Sequence, residues 1–183
     1  PVEAQAHNEP AAVEPEKMMV VRRRVVQPVL RPRLDLCLPT GVSIDASSRL
    51  IVVKGSGKAA DALVKKIKAL KAQVLLVSSA DAAAKAAEWL KTGEVQGVYY
   101  LPGLDDEPNF MDQSAQDWKD NLYGRLEPLY HLMRALPDKT FLVCATRLGG
   151  LHGTGPSGAQ NPTGGAISGF AKAIAMERHS GLV

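Results

Sequence analysis

No stretch of this sequence approaches the roughly 18 consecutive apolar residues of a membrane-spanning helix, so no membrane association is expected. Cysteine is scarce: two in 183 residues, Cys37 and Cys144, each among apolar neighbours. That number and spacing give neither a disulfide framework nor a metal site, and point to a reducing, cytoplasmic setting. His152 and His179 have no Cys, Asp or His at ligand spacing, so no metal is expected. Charge of one sign is also lacking. The net +3 is too small to argue for a nucleic-acid partner, and no aromatic residues interleave with the one basic cluster, Arg22, Arg23 and Arg24. That cluster, flanked by valines, reads as a solvated or inter-domain edge. What is present is ordinary: 45% hydrophobic and 22% charged residues, the composition of a globular chain long enough for one domain with a real core. The sequence does not begin with Met and carries no signal-peptide pattern, and a piece of a longer polypeptide is the expectation.

Residues 1–17 mix Pro, Ala and Glu without a hydrophobic period. Such a segment buries too little apolar surface to offset its ordering entropy and reads as a linker. Residues 18–48 form an expected edge-strand extension. Residues 18–30 are rich in β-branched side chains, while Pro28, Pro32 and Pro39 keep the segment out of a sheet interior. From residue 49 the pattern is regular. Leu50, Ile51, Val52 and Val53 make a short run suited to a strand buried on both faces. A helix follows, with Ala60, Leu63, Val64, Ile67 and Leu70 on one side and lysines on the other. Further strands are expected at 74–77, 95–101 and 141–145, with an alanine-rich helix capped by Ser79 or Asp81 and a long helix over 113–136. Pro128 is expected to kink or interrupt that long helix. Strands alternating with helices predict right-handed βαβ units and a parallel sheet ordered two, one, three, four, with helices on both faces.

Several residues invite a chemical reading. Gly55, Ser56 and Gly57 lie between a strand and a helix, where a dinucleotide's phosphates would sit. The full glycine fingerprint is absent, since Lys58, Ala59 and Ala60 follow, and a tight turn accounts for the two glycines equally well. No acidic ribose reader follows the second strand; Asp81, the nearest carboxylate, suits a helix cap. Thr146, at the end of the fourth strand, carries a hydroxyl able to orient a carbonyl, although a threonine there is commonplace. His131, beside Leu132 and Met133, reads as a core-margin histidine, and Lys172 as a solvated lysine.

The second half of the chain resembles a short-chain dehydrogenase/reductase. Asn121, Leu122, Tyr123 and Gly124 fall on a helix, the apolar strand ends at Thr146, and Gly169 to Arg178 make a closing helix. In that family a Tyr-x-x-x-Lys pair precedes the closing Gly-Phe by nine and five residues; here those positions hold Gln160 and Gly164. More narrowly, the run from Val98 to Asp105 is similar to the Gly-Val-Val-His-Leu-Trp-x-Leu-Asp strand of ketoreductase regions in modular polyketide and polyunsaturated-fatty-acid synthases. Phe141 to Arg147, then Asn161, Pro162, Gly169, Phe170 and Ala175 to Arg178, resemble further segments of the same region.

The resemblance implies a truncated Rossmann-like fold over residues 49–183, most like the non-catalytic structural subdomain of such a ketoreductase. It implies that Thr146 stands at the hydroxyl position and Asn121 at that of the helix asparagine holding a proton-relay water. Gln160 cannot act as a phenol does, nor Gly164 as a lysine, and loss of the general acid alone costs about 10²–10⁴ in rate. No cofactor is therefore expected in this chain, while NADPH serves the parent reductase. The implied partners are the catalytic ketoreductase half and the acyl carrier protein of one synthase. Gly181, Leu182 and Val183 have the look of a strand beginning. The alternatives left open are an NADP-dependent β-ketoacyl-acyl-carrier-protein reductase with a non-standard site, and a scaffold or interaction module of the same fold.

Overall fold

The computed structural model describes residues 39–150, 153–156 and 158–178. The linker, the strands expected within 18–30, Arg22 to Arg24, Cys37, His152, His179 and the terminal Gly181 to Val183 lie outside them. Four strands, β1 (Arg49–Lys54), β2 (Gln73–Ser78), β3 (Gly97–Tyr100) and β4 (Phe141–Cys144), form one parallel sheet. Its order is β2-β1-β3-β4, as the alternation of elements predicts. The helices are α1 (Ala59–Ala69), α2 (Ala82–Leu90), α3 (Ala115–Ala135) and α4 (Gly164–Glu177). The fold is α/β and Rossmann-like, with helices on both faces; among the described residues a single strand lies beyond β1, where the common dinucleotide-binding order has two.

β1 explains why the sheet is two-sided. Leu50 to Val53 are all fully buried. Because side chains alternate along a strand, Leu50 and Val52 pack with Ala60, Val64 and Ile67 of α1. Ile51 and Val53 pack on the other face with Ala82 and Ala86 of α2, Leu129, Leu132 and Met133 of α3, and Ile167 and Ile174 of α4. Each of the larger side chains, Leu, Ile, Val or Met, contributes about 1.5–3 kcal/mol relative to an exposed one.

Three local expectations change. Leu70 is not on the buried face: α1 ends at Ala69, Lys71 turns into the left-handed region at φ 65°, and Leu70 is left more than half exposed. Asp81 occupies the N-cap position of α2 but does not cap it, bonding Ser78 Oγ (2.8 Å) and Lys85 (3.3 Å) instead. Pro128 does not interrupt α3, which runs on for 21 residues. It removes one helical N–H, and nearby the carbonyl of Arg125 accepts a bond from Tyr100 Oη (2.5 Å), tying this turn to the sheet. A capping box between Ser114 and Asp117 starts α3. Arg178, just past α4, donates to the carbonyls of Met133, Leu136 and Pro137 at the other end, a favourable place for a cation.

Candidate functional site

In open parallel sheets, ligands bind beyond the carboxyl ends of the strands where the order reverses. Here that place lies between β1 and β3. Four segments meet there: the β1–α1 turn at 55–57, the loop after β3 at 101–108, the exit of β4 at 145–148, and residues 161–164 leading into α4.

At the β1–α1 turn, the backbone N–H of Ser56 donates to Asp105 Oδ1 at 2.6 Å and the Ser56 hydroxyl donates to the same oxygen at 3.0 Å. A Cβ on Gly55 would stand 2.1 Å from that oxygen, and its three nearest neighbours would all be atoms of the Asp105 carboxyl group. Gly55 is thus fitted to a carboxylate of its own chain. Gly57 has open space where a side chain would be.

The loop after β3 is held from several sides. Gly103 allows a close approach to β4, since a Cβ there would lie 2.5 Å from the Ala145 carbonyl oxygen. Arg125, buried on α3, donates to the carbonyls of Pro102 (3.2 Å), Asp105 (3.0 Å) and Asp106 (3.0 Å). Its guanidinium also pairs with Glu107 Oε1 at 3.1 Å, where the Glu107 side chain is fully buried. Glu107 further accepts from the backbone N–H (3.3 Å) and the hydroxyl of Thr163 at the start of α4. Asn161 donates to the Asp105 carbonyl, and Arg147 pairs with Asp106. A buried ion pair is tolerable only with its remaining polar atoms satisfied, and this one has such partners on both sides.

Neither of the other titratable groups here is set up for proton transfer near neutrality. Burial pushes the Tyr100 phenol far above its ordinary range, so it is a neutral donor to the Arg125 carbonyl. Burial likewise pushes the Cys144 thiol up to about 12, which leaves it unionised.

The structure brings Thr146 and Gly164 together. A Cβ on Gly164 would lie 3.1 Å from Thr146 Cβ, so the threonine crowds the space that a side chain at 164 would take. Gln160 is exposed and precedes α4, which begins at Gly164 rather than at Gly169. Asn121 donates to Gln113 Oε1 at 2.9 Å. Lys172 is exposed. His131 is a correction: it is more than half exposed beside Glu127 (3.5 Å), because the buried stripe of α3 runs through Arg125, Leu129, Leu132 and Met133. Sequence reasoning missed Arg125, Glu107 and Thr163. The available signal was an acidic run, Asp105, Asp106 and Glu107, a short turn after a buried strand. Among the described residues, no group of three His, Cys, Asp or Glu side chains is placed to hold a metal, and no helix is long and apolar enough to cross a membrane.

No family model matches the sequence, and no curated protein matches it. Solved structures do. An oxidoreductase of the short-chain dehydrogenase/reductase family from Burkholderia thailandensis superposes with a TM-score of 0.59 at 16% identity, over 73% of this chain and 65% of that one. The fold is that of the short-chain dehydrogenases/reductases. A short-chain dehydrogenase/reductase of the glucose/ribitol dehydrogenase type from Brucella melitensis gives 0.57 at 16% identity, over 73% and 70% of the two chains. One from Serratia marcescens gives 0.55 at 16%, over 74% of each. The chain therefore spans about two thirds of the Burkholderia protein's length, and at this identity the likeness is one of fold.

Proposed function

We propose that this chain is the structural, non-catalytic half of a β-ketoacyl reductase region in a multidomain polyketide or fatty-acid synthase. It braces an NADPH-dependent catalytic half of the same polypeptide, in the cytoplasm, and the assembled region serves substrates carried on an acyl carrier protein. The observation that carries the reading is the pairing of Thr146 with Gly164. Where the resembling reductases place a lysine, this chain has a buried glycine, and a Cβ added there would come within 3.1 Å of Thr146 Cβ. The phenol position, Gln160, stands outside the helix altogether. The cofactor side agrees. A dinucleotide's phosphates at the β1–α1 turn would have to displace the Asp105 carboxylate, a like charge already hydrogen-bonded to Ser56. The residues present do not fit that group.

The test is an assay of the chain with NADPH and a β-ketoacyl thioester, beside a nicotinamide-fluorescence titration. Neither turnover nor saturable binding is expected, and a dissociation constant in the low micromolar range would overturn the reading. One observation favours the alternative of a reductase with a non-standard site: the Thr146 side chain packs beside Gly164 at the start of α4. Thr146→Ala in the assembled reductase separates the two. Near-full activity is expected. A loss of about a hundredfold or more, the scale of a lost proton-transfer group, at unchanged stability would make the hydroxyl catalytic.

A further inference from the structure

The acidic run after β3 does more than fill space. Its three carboxylates go to three different elements. Asp105 binds the Ser56 N–H and hydroxyl in the β1–α1 turn, 49 residues away in sequence. Asp106 binds Arg147 beyond β4. Glu107 binds the Thr163 N–H and hydroxyl where α4 begins, together with Arg125. Free N–H groups at a strand-to-helix turn and at a helix start are the donors that phosphates use in dinucleotide-binding folds. Here one backbone donor at each place, the Ser56 N–H and the Thr163 N–H, is taken by an anion of the chain itself.

We infer that Asp105, Asp106 and Glu107 act as a tethered anionic ligand that keeps the crevice closed to phosphate-bearing molecules. The inference rests on the reading of this crevice as cofactor-free and adds the device that makes it so. The device has a fixed end and a releasable end. The Glu107 side chain is fully buried and held by Arg125 and Thr163, whereas the Asp105–Ser56 bonds are exposed to solvent. Release of Asp105 alone uncovers the turn while the loop stays anchored. Gly55 is matched to this arrangement: all three atoms that a Cβ would meet belong to the Asp105 carboxyl group. Inorganic pyrophosphate, the simplest anion with the phosphate–phosphate linkage of a dinucleotide, would then occupy the freed donors.

Thermal melting of the whole chain at constant ionic strength tests this. Asp105→Ala frees the Ser56 donors at the surface, so the fold survives. Pyrophosphate at about ten times its dissociation constant should raise the melting temperature of this variant by about 3 °C, and that of the unaltered chain by less than about 1 °C. NADPH should act on Asp105→Ala as pyrophosphate does; a response to NADPH without one to pyrophosphate would mean that phosphates are not what the turn binds, and would overturn the inference. Gly55→Ala should melt lower than the unaltered chain, because its methyl group and the Asp105 carboxylate compete for one space. The double variant Gly55→Ala with Asp105→Ala should melt no lower than either single one and lose the pyrophosphate response. Additive losses, or an unaltered chain that responds as strongly as Asp105→Ala, would also refute the tethered ligand. Reductase turnover by the unaltered chain would instead refute the non-catalytic reading, and the two readouts are separate.

Discussion

The two ends of the crevice are closed by the same kind of residue in opposite surroundings. At the β1 end, Asp105 meets Ser56 in the open, where water competes for every bond. At the α4 end, Glu107 is removed from water and meets a guanidinium, a backbone N–H and a hydroxyl. An exposed polar contact is worth little because its alternative is solvation, while a buried charge has no such alternative. The first end is a latch and the second a strut. Chemistry alone does not separate them; burial does.

The strut gives the largest expected effect. Arg125→Ala leaves Glu107 buried without its counter-charge and strips a donor from three carbonyls, for a loss of about 3–5 kcal/mol in urea unfolding. A loss below about 1 kcal/mol, the range of an exposed pair, would erase the distinction between the two ends. Glu107→Gln keeps the volume and an acceptor for Thr163 but abolishes the charge, and should fall between, at about 1–3 kcal/mol. Asp105→Asn changes the exposed end in the same isosteric way, and unfolding should shift by no more than about 0.5 kcal/mol. If Asp105→Asn costs as much as Glu107→Gln, the β1 end is a strut as well.

The smallest effect is a control outside the crevice. Hydrogen bonds from the Ser114 hydroxyl and then its backbone N–H hold Asp117 below the ordinary 3.8. A carboxylate whose folded pKa is depressed contributes stability that is present above its unfolded value and lost as pH falls through the folded one. The α3 capping box should therefore weaken only below about pH 4. Asp117→Asn should remove that acid-side slope without touching the response at the crevice, as circular dichroism across pH 2–6 would record.

Much of the fold was legible because it rests on short-range pattern. A strand with four consecutive buried aliphatics and a helix with Ala60, Val64 and Ile67 in register announce themselves in sequence, and the β2-β1-β3-β4 order follows from right-handed connections. The start of α4 was not legible, because Gly164 and Gly165 are poor helix formers. They are helical here through turn bonds to the Asn161 and Pro162 carbonyls, with Glu107 on Thr163 just before. The same limit hid the site. Asp105 and Ser56 are 49 residues apart, and Glu107 and Thr163 are 56 apart. No periodicity reports a contact of that kind. Arg125 was hidden differently: on a helix with Lys119 and Arg134 it looks like one more solvated cation until its burial is known.

The proline in α3 has a consequence for motion. Pro128 leaves no amide proton at its own position, and the turn before it holds Gly124. Of the residues up to that turn, the only buried one is Arg125, whereas Leu129, Leu132 and Met133 beyond it are fully buried. Amide exchange should therefore divide this helix into two segments that open with different free energies, the first half relabelling sooner than the second. The phenol of Tyr100, bonded to the Arg125 carbonyl, sits at the boundary and sets where the fast segment stops.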